Sequence, residues 1–278
     1  MDFARTAIAA TLLFSWTSPI RASRAQEPQL ANEHRDSLSV VRYLRFRKLK
    51  LLSVPAARER YYAAIAAAAD GAHRYVVPLR VQGNTVSSLV DKPLEVGEYD
   101  PTELVWFSID LRNGSSSVDG LMISWDLGAE GRAGTTIMSL REAVLTTTYQ
   151  DPPAICTPSL LKDVTGDGSV ELVTYTDQKG DCSDVCRLTI QKHFDLPPAW
   201  VELRSWTGAA WQVKTDGTSQ FYAKLADKYS QIRRWLSGEW GPDSELCRGV
   251  AWVEDGAVFE KWVGRAREVA VAQPAKSQ

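Results

Sequence analysis

The sequence predicts an α+β fold dominated by antiparallel sheet, with two or three helices packed beside the strands. Two observations support this prediction. Short segments rich in Val, Ile, Thr and aromatic residues recur between turn signals, and the connections between neighbouring segments are short. Because parallel strands need long, mostly helical crossovers, these short connections favour antiparallel hairpins.

A series of strand pairs is expected in chain order, each flanking a turn. The dipeptides at 83–84, 113–114 and 255–256 are of the Gly-Asn, Asn-Gly and Asp-Gly types that occur in tight hairpin turns. Shorter glycine-containing turns separate the other segments. The predicted pairs are residues 75–81 with 85–90, 104–111 with 118–127, two strands within 135–149, 200–206 with 211–214, and 249–254 with 257–262.

Two segments are predicted to be helical. Residues 55–69 are rich in Ala, begin near Ser53 and end before Gly71, which suits a helix C-cap. Residues 219–236 place apolar side chains at steps of three and four, so one face of a helix would be buried. The apolar positions of this second helix are Phe221, Leu225, Tyr229, Ile232 and Trp235.

A glycine-rich turn at residues 163–171 carries the most specific functional signal. It places Asp163, Thr165 and Asp167 at alternate positions and Glu171 just before an apolar strand. Ca²⁺ takes about 6–8 oxygen ligands, and a tight turn that glycine permits can direct several of them to one point. An ordinary turn without metal is the alternative, because Asp and Gly also cluster in turns for conformational reasons.

This loop resembles the calcium loop of FG-GAP and VCBS repeat proteins, the integrin-alpha-like group, whose pattern is close to D-x-[DN]-G-D-G-x-x-[DE]-[LIV]. The chain contains one copy of the motif, so a full multi-blade propeller is not supported. The resemblance implies a bound Ca²⁺ with three side-chain ligands, one backbone-carbonyl ligand and a closing carboxylate. Carried over residue by residue, these are Asp163, Thr165 and Asp167, then Ser169, then Glu171.

A looser likeness continues downstream of the loop. A close Cys pair, a Trp-Thr-Gly hairpin and a Phe-Tyr helix follow it in an order that is similar to exported bacterial proteins of uncharacterised function with single repeats of this type. The likeness implies export and no particular activity. The residues that carry it are Cys182, Cys186, 206–208, Phe221 and Tyr222.

The chain divides into four predicted regions. Residues 1–25 have a weakly basic start, an apolar run and small residues near a cleavage position, which is typical of a signal peptide. Residues 27–150 form a β-rich region with one helix, and residues 151–270 form a Cys- and Trp-rich region that contains the calcium-type loop. Residues 271–278 are expected to be a disordered tail. The mature protein is therefore expected to be secreted or periplasmic.

Cysteine usage agrees with export. An even number of cysteines in an exported chain favours two disulfides, and three connectivities remain open. A zinc site formed by three of the cysteines with His193 is the alternative. The four cysteines are Cys156, Cys182, Cys186 and Cys247.

The remaining signals favour a non-catalytic role. The net charge of −2 does not suggest nucleic acid binding, and no segment is apolar over the roughly 20 residues that a membrane span needs. No nucleophile elbow, zinc-protease pair or phosphate loop occurs in the sequence, although a hydrolase that uses two carboxylates leaves no such motif. We therefore expect a structural protein, or one that binds a protein or a glycan. Four tryptophans are candidates for a glycan-stacking surface, with burial in a core as the alternative: Trp200, Trp206, Trp211 and Trp240.

Overall fold

The computed structural model describes residues 29–96, 101–112, 117–126, 133–152, 155–237, 242–254 and 257–272. These residues form five α-helices and thirteen strands in three antiparallel sheets, with no closed barrel or propeller among them. The predicted α+β fold dominated by antiparallel sheet is therefore confirmed. The signal-peptide segment 1–25, Trp240 and nearly all of the tail 271–278 lie outside the described residues.

The first sheet is an antiparallel meander that one helix covers. Its first four strands pair in chain order, and the short fifth strand pairs with the third. The hairpin predicted around residues 83–84 is present. The elements are α1 (Gln29–Phe46), β1 (Leu49–Arg58), β2 (Tyr61–Ala68), β3 (Arg74–Gln82), β4 (Thr85–Ser88) and β5 (Leu94–Glu95).

The helix predicted at residues 55–69 is wrong, because this segment forms the end of β1 and all of β2. Ala favours helices when a segment is considered alone, but tertiary pairing overrides that preference. The β2 strand pairs with neighbours on both edges, and apolar groups bury both of its faces. Ala64 and Ala66 pack toward α1, and Ala63 and Ile65 pack toward the second sheet.

The second sheet is a four-stranded meander that confirms two of the predicted hairpins. Its strands pair in chain order, and the turn dipeptide at 113–114 lies outside the described residues. Side chains such as Trp106, Leu121 and Ile123 join Ile65 and Val76 of the first sheet in one core. The strands are β6 (Glu103–Phe107), β7 (Gly120–Asp126), β8 (Ala133–Arg141) and β9 (Val144–Gln150).

The third sheet is another meander of four strands, with a helix inserted between its second and third strands. The hairpin predicted between 200–206 and 211–214 is present. Phe107 and Ile137 of the second sheet pack against Leu161, Leu172 and other apolar side chains of the third sheet, so these two sheets share a core. The elements are β10 (Leu160–Lys162), β11 (Glu171–Thr176), α2 (Val185–Phe194), β12 (Trp200–Trp206) and β13 (Trp211–Val213).

The C-terminal helices cover the third sheet. The predicted helix at 219–236 is confirmed as α3 (Ser219–Leu236), and it packs against α5 (Ala257–Val271). A 3-10 helix (Pro242–Cys247) and the short α4 (Ala251–Glu254) lie between them. None of the helices in the described part of the chain is both long and apolar enough to cross a membrane.

The hairpin predicted at residues 249–262 is wrong. Its turn dipeptide at 255–256 lies outside the described residues, but the flanking segments are helical. The physical reason is the spacing of four buried side chains in α5, which recur at steps of three and four and therefore lie on one helical face. These side chains are Phe259, Trp262, Val263 and Ala266.

Both expected disulfides are present. Cys156 is bonded to Cys182, and Cys186 is bonded to Cys247. The alternative zinc site is excluded because all four cysteines are oxidised, and His193 Nε2 lies 3.1 Å from Asp243 Oδ2. Two disulfides fit an extracellular or otherwise oxidising compartment.

Candidate cation site

The calcium-type loop connects β10 to β11 and is shaped by two glycines. Gly166 and Gly168 have φ values of 74° and 80°, in the left-handed region that other residues rarely adopt. A Cβ at Gly168 would also collide with the side chain of Arg112, which lies against the loop. These two positions therefore allow the tight turn that brings the acidic side chains together.

The side chains of Asp163 and Asp167 hold the turn by accepting backbone hydrogen bonds. Asp163 Oδ1 accepts from the Gly166 amide at 2.7 Å, and Asp163 Oδ2 accepts from the Gly168 amide at 3.0 Å. Asp167 Oδ1 accepts from the Ser169 amide at 2.8 Å. Both oxygens of Asp163 and one oxygen of Asp167 are thus engaged within the loop itself.

Glu171 is fully buried beneath the turn. Its Oε2 accepts hydrogen bonds from the amides of Val164 at 2.8 Å and Thr165 at 3.3 Å, and its Oε1 accepts one from Thr165 Oγ1 at 2.9 Å. A buried carboxylate needs such partners because its transfer out of water is costly. Glu171 therefore fixes the start of the loop to the first residue of β11.

Lys214 inserts a positive charge into this group of oxygens. Its Nζ donates to Glu171 Oε1 at 2.5 Å, to Asp167 Oδ2 at 2.7 Å and to Thr165 Oγ1 at 3.1 Å. The side chain of Lys214 is only 10% exposed. No sequence pattern reveals this residue, since Lys214 ends a predicted strand and lies 43 positions from Glu171.

Three carboxylates of the loop could hold a metal ion. Asp163, Asp167 and Glu171 each offer one oxygen, and the three atoms lie within 4.8 Å of one another. The donor set is chemically suited to a hard cation. The arrangement does not fit one while Lys214 is present, because its ammonium contacts the oxygens of Asp167, Glu171 and Thr165 that the backbone amides leave available.

The loop also joins the second sheet to the third. Ser169 forms a bridge with Asp110, which lies just beyond β6. The Leu111 amide donates to the Gly168 carbonyl at 2.7 Å, and the Val170 amide donates to the Ile109 carbonyl at 2.8 Å. Because Val170 and Leu172 lie in the core that the two sheets share, the loop combines polar and apolar contacts between them.

The charges of the site change the pKa values of two partners. Burial alone would raise the pKa of Asp167, but hydrogen bonds from Lys214 and Ser169 outweigh it and hold the pKa below its usual range. Burial alone would lower the pKa of Lys214, but hydrogen bonds to Asp167 and Glu171 raise it above its usual value. Both shifts favour the charged pair.

The contribution of Asp167 to stability should therefore be lost in acid. Its pKa is lower in the folded than in the unfolded chain, so this contribution is present above the unfolded pKa of about 3.9 and disappears as the pH falls through the folded pKa. We expect Asp167→Asn to lower the midpoint of thermal unfolding at pH 7, with a difference from wild type that shrinks as the pH falls through the folded pKa of Asp167. Thermal melts followed by circular dichroism from pH 2 to 7 measure this difference. Asp177→Asn, outside the loop, serves as the control, and a constant difference across the range would contradict the assignment.

The fold places the tryptophans proposed as a stacking surface in different environments. Trp200 and Trp211 are buried, with 2% and 5% exposure, and their rings pack in the cores on either side of the third sheet. Trp206 is half-buried and lies beside a groove of about 380 Å³, with the guanidinium carbon of Arg141 at 5.6 Å from its ring centroid. Trp240 lies outside the described residues.

Two carboxylates line the same groove as Trp206. Asp119 Oδ2 accepts a hydrogen bond from the Ile109 amide at 2.7 Å, and Asp110 is paired with Arg112. Hydrogen bonds from Arg112 hold the pKa of Asp110 below its usual range. This is the reverse of the raised pKa that a carboxylic acid needs in order to protonate a glycosidic leaving group.

Comparison with models of known protein families finds no family that matches this chain. Comparison with curated proteins likewise finds no match.

Proposed function

We propose that this chain is an exported, secreted or periplasmic, non-catalytic protein with a structural and partner-binding role. In this proposal the calcium-type loop connects the second and third sheets, and the positive charge of Lys214 stabilises the tight conformation of the loop. We call this connection the joint. The observation that carries the proposal is the convergence of Asp167, Glu171 and Lys214 at the point where the loop pairs with the second sheet through Ser169 and Asp110.

The joint needs a positive charge because its carboxylates would otherwise repel one another. Glu171 has no exposed surface, and three carboxylates lie within a few ångströms of one another. Like charges at such short distances repel strongly when they are shielded from water. A cation among them removes this repulsion and lets the loop stay tight enough to pair with residues 109–111.

Calcium is the metal that we propose for this cluster when Lys214 is removed from it. The oxygen ligands would come from Asp163, Asp167 and Glu171, in keeping with the preference of Ca²⁺ for hard oxygen donors. An ion that binds only the folded chain would stabilise the fold by mass action.

A test of the joint is the substitution of Glu171→Gln, which keeps the shape of the side chain and removes its charge. We expect the free energy of unfolding to fall by about 3 kcal/mol, because the buried partner Lys214 loses its closest counter-charge. Urea denaturation gives this value, and hydrogen exchange at the Leu111 and Val170 amides reports on the contact between the sheets. Glu260→Gln is the matched control, since Glu260 is exposed and its loss should cost less than about 0.5 kcal/mol. Equal stability of Glu171→Gln and wild type would refute the joint.

The groove beside Trp206 is the surface that we propose for partner contact, with a glycan as the favoured ligand class. The half-exposed indole supplies an apolar face, and Arg141, Asp119 and Ser139 supply polar groups around it. Such a combination suits a sugar ring, which carries both apolar faces and hydroxyl groups.

Affinity electrophoresis of the folded protein in gels that contain soluble polysaccharides tests this surface. We expect Trp206→Ala to weaken retention about tenfold, which corresponds to the loss of about 1.4 kcal/mol of stacking. Phe46→Ala is the control, because Phe46 is 85% exposed on α1. If the wild-type protein is not retained by any polysaccharide, or if both variants behave alike, the glycan role is refuted.

A further inference from the structure

The three N–H groups of the Lys214 ammonium match the oxygens that the loop leaves available. A lysine ammonium has three N–H donors and no acceptor. Lys214 Nζ lies within hydrogen-bonding distance of three oxygen atoms of the loop, one each from Thr165, Asp167 and Glu171. The other oxygens of the three carboxylates accept hydrogen bonds from backbone amides of the loop. The polar groups of the cluster are therefore satisfied without an added ion.

The ammonium contacts oxygens that a bound metal would need as ligands. Its contacts with Asp167 and Thr165 are 2.7 and 3.1 Å, which are hydrogen-bond distances, and it also contacts Glu171. A metal ion and the Lys214 ammonium cannot both occupy this position. All three contacted residues, Thr165, Asp167 and Glu171, are among those that the calcium-loop pattern makes ligands.

The backbone holds Lys214 in this position. The β12–β13 hairpin pairs Trp206 with Trp211, and the Lys214 amide donates to the Leu203 carbonyl at 2.8 Å. The side chain of Lys214 then extends to the buried carboxylate of Glu171. Removal of the Lys214 ammonium would leave a buried carboxylate without its counter-charge. This loss costs more free energy than the loss of a surface ion pair.

We propose that the Lys214 ammonium is the resident cation of the calcium-type loop and stands in place of the metal. This inference rests on the proposed joint and identifies the charge that closes it. The loop then folds without metal in the wild-type protein. Removal of the ammonium leaves Asp167 and Glu171 without their cation, with an oxygen of Asp163 within 4.8 Å of an oxygen of each, and the loop becomes a Ca²⁺ site.

The test compares the full-length wild-type protein with Lys214→Met, which keeps the length of the side chain and removes its charge. Thermal unfolding is followed in EDTA and in millimolar Ca²⁺, and Ca²⁺ binding is measured by isothermal titration calorimetry. We expect the wild-type midpoint to be the same in both buffers. We expect Lys214→Met to melt about 10 °C lower in EDTA, to recover much of that loss in Ca²⁺, and to bind one Ca²⁺ per chain.

Lys179→Met is the matched control, because Lys179 pairs with Asp177 outside the loop and its replacement should leave the midpoint unchanged in both buffers. A wild-type midpoint that falls in EDTA and rises with Ca²⁺ would overturn the proposal, and this measurement does not depend on whether any variant folds. A Lys214→Met protein as stable as wild type in EDTA would also overturn it. A failure of the proposed joint can be distinguished from a failure of this inference, because Glu171→Gln would then be as stable as wild type.

Discussion

Replacement of Cys186 and Cys247 together by Ala should lower the free energy of unfolding by about 4 kcal/mol. The disulfide joins positions 61 residues apart, and a cross-link over such a distance removes much of the conformational freedom of the unfolded chain. The bond also anchors α2 to the 3-10 helix, and both cysteines are at most 2% exposed. Guanidinium denaturation of the double variant measures the loss, and we expect a stable fold only at low temperature.

The second disulfide provides the matched comparison. Cys156 and Cys182 are 26 residues apart, so their replacement by Ala should cost about 3.5 kcal/mol in the same chain-entropy model. Non-covalent contacts also hold this region, because the buried Arg187 donates to Thr157 Oγ1 at 2.7 Å and to Gln178 Oε1 at 3.1 Å. A larger loss for this pair than for Cys186 and Cys247 would contradict the expected order.

Trp262→Ala should have an effect of similar size, about 4 kcal/mol. Trp262 is 1% exposed, and its ring centroid lies 5.3 Å from that of Tyr229 and 5.2 Å from that of Phe259. Truncation to Ala removes a large apolar area from the layer between α3 and α5 and leaves a cavity that the surrounding rings cannot fill without moving.

Val271→Ala on the same helix is the control for this cavity. Val271 is 82% exposed, so its truncation should change the free energy of unfolding by less than about 0.5 kcal/mol. Urea denaturation at 25 °C separates the two variants clearly. A loss below about 2 kcal/mol for Trp262→Ala would mean that the helical layer repacks around the missing ring.

The sequence predicted those elements whose own periodicity or turn chemistry agrees with the final fold. The hairpin around residues 83–84 has a turn dipeptide between alternating strands, and α3 has apolar positions at helical spacing, so both were predicted correctly. The Ala-rich β2 was predicted to be a helix, because its strand conformation depends on neighbours on both sides. The Asp-Gly dipeptide at 255–256 suggested a hairpin, although helical periodicity in α5 was the stronger signal.

The candidate site was predictable only in part, because one of its residues is distant in sequence from the others. Its acidic residues lie within nine positions of one another, so a local pattern reveals them. Lys214 reaches them from the position that follows β13, which is remote in sequence and comes close only in the folded chain. No spacing rule links Lys214 to Glu171, and the pattern of ligands alone therefore does not reveal that an ammonium group contacts the same oxygens.

The order of the three sheets has a consequence for how the chain folds as it is synthesised. Each sheet consists of strands that are consecutive in sequence, so the first sheet can form while the later residues are still being added. The acidic turn emerges well before Lys214 and must wait for the β12–β13 hairpin before its charges are balanced. We therefore expect the polar contact between the second and third sheets at Asp110 and Ser169 to become stable only after residue 214 has been synthesised.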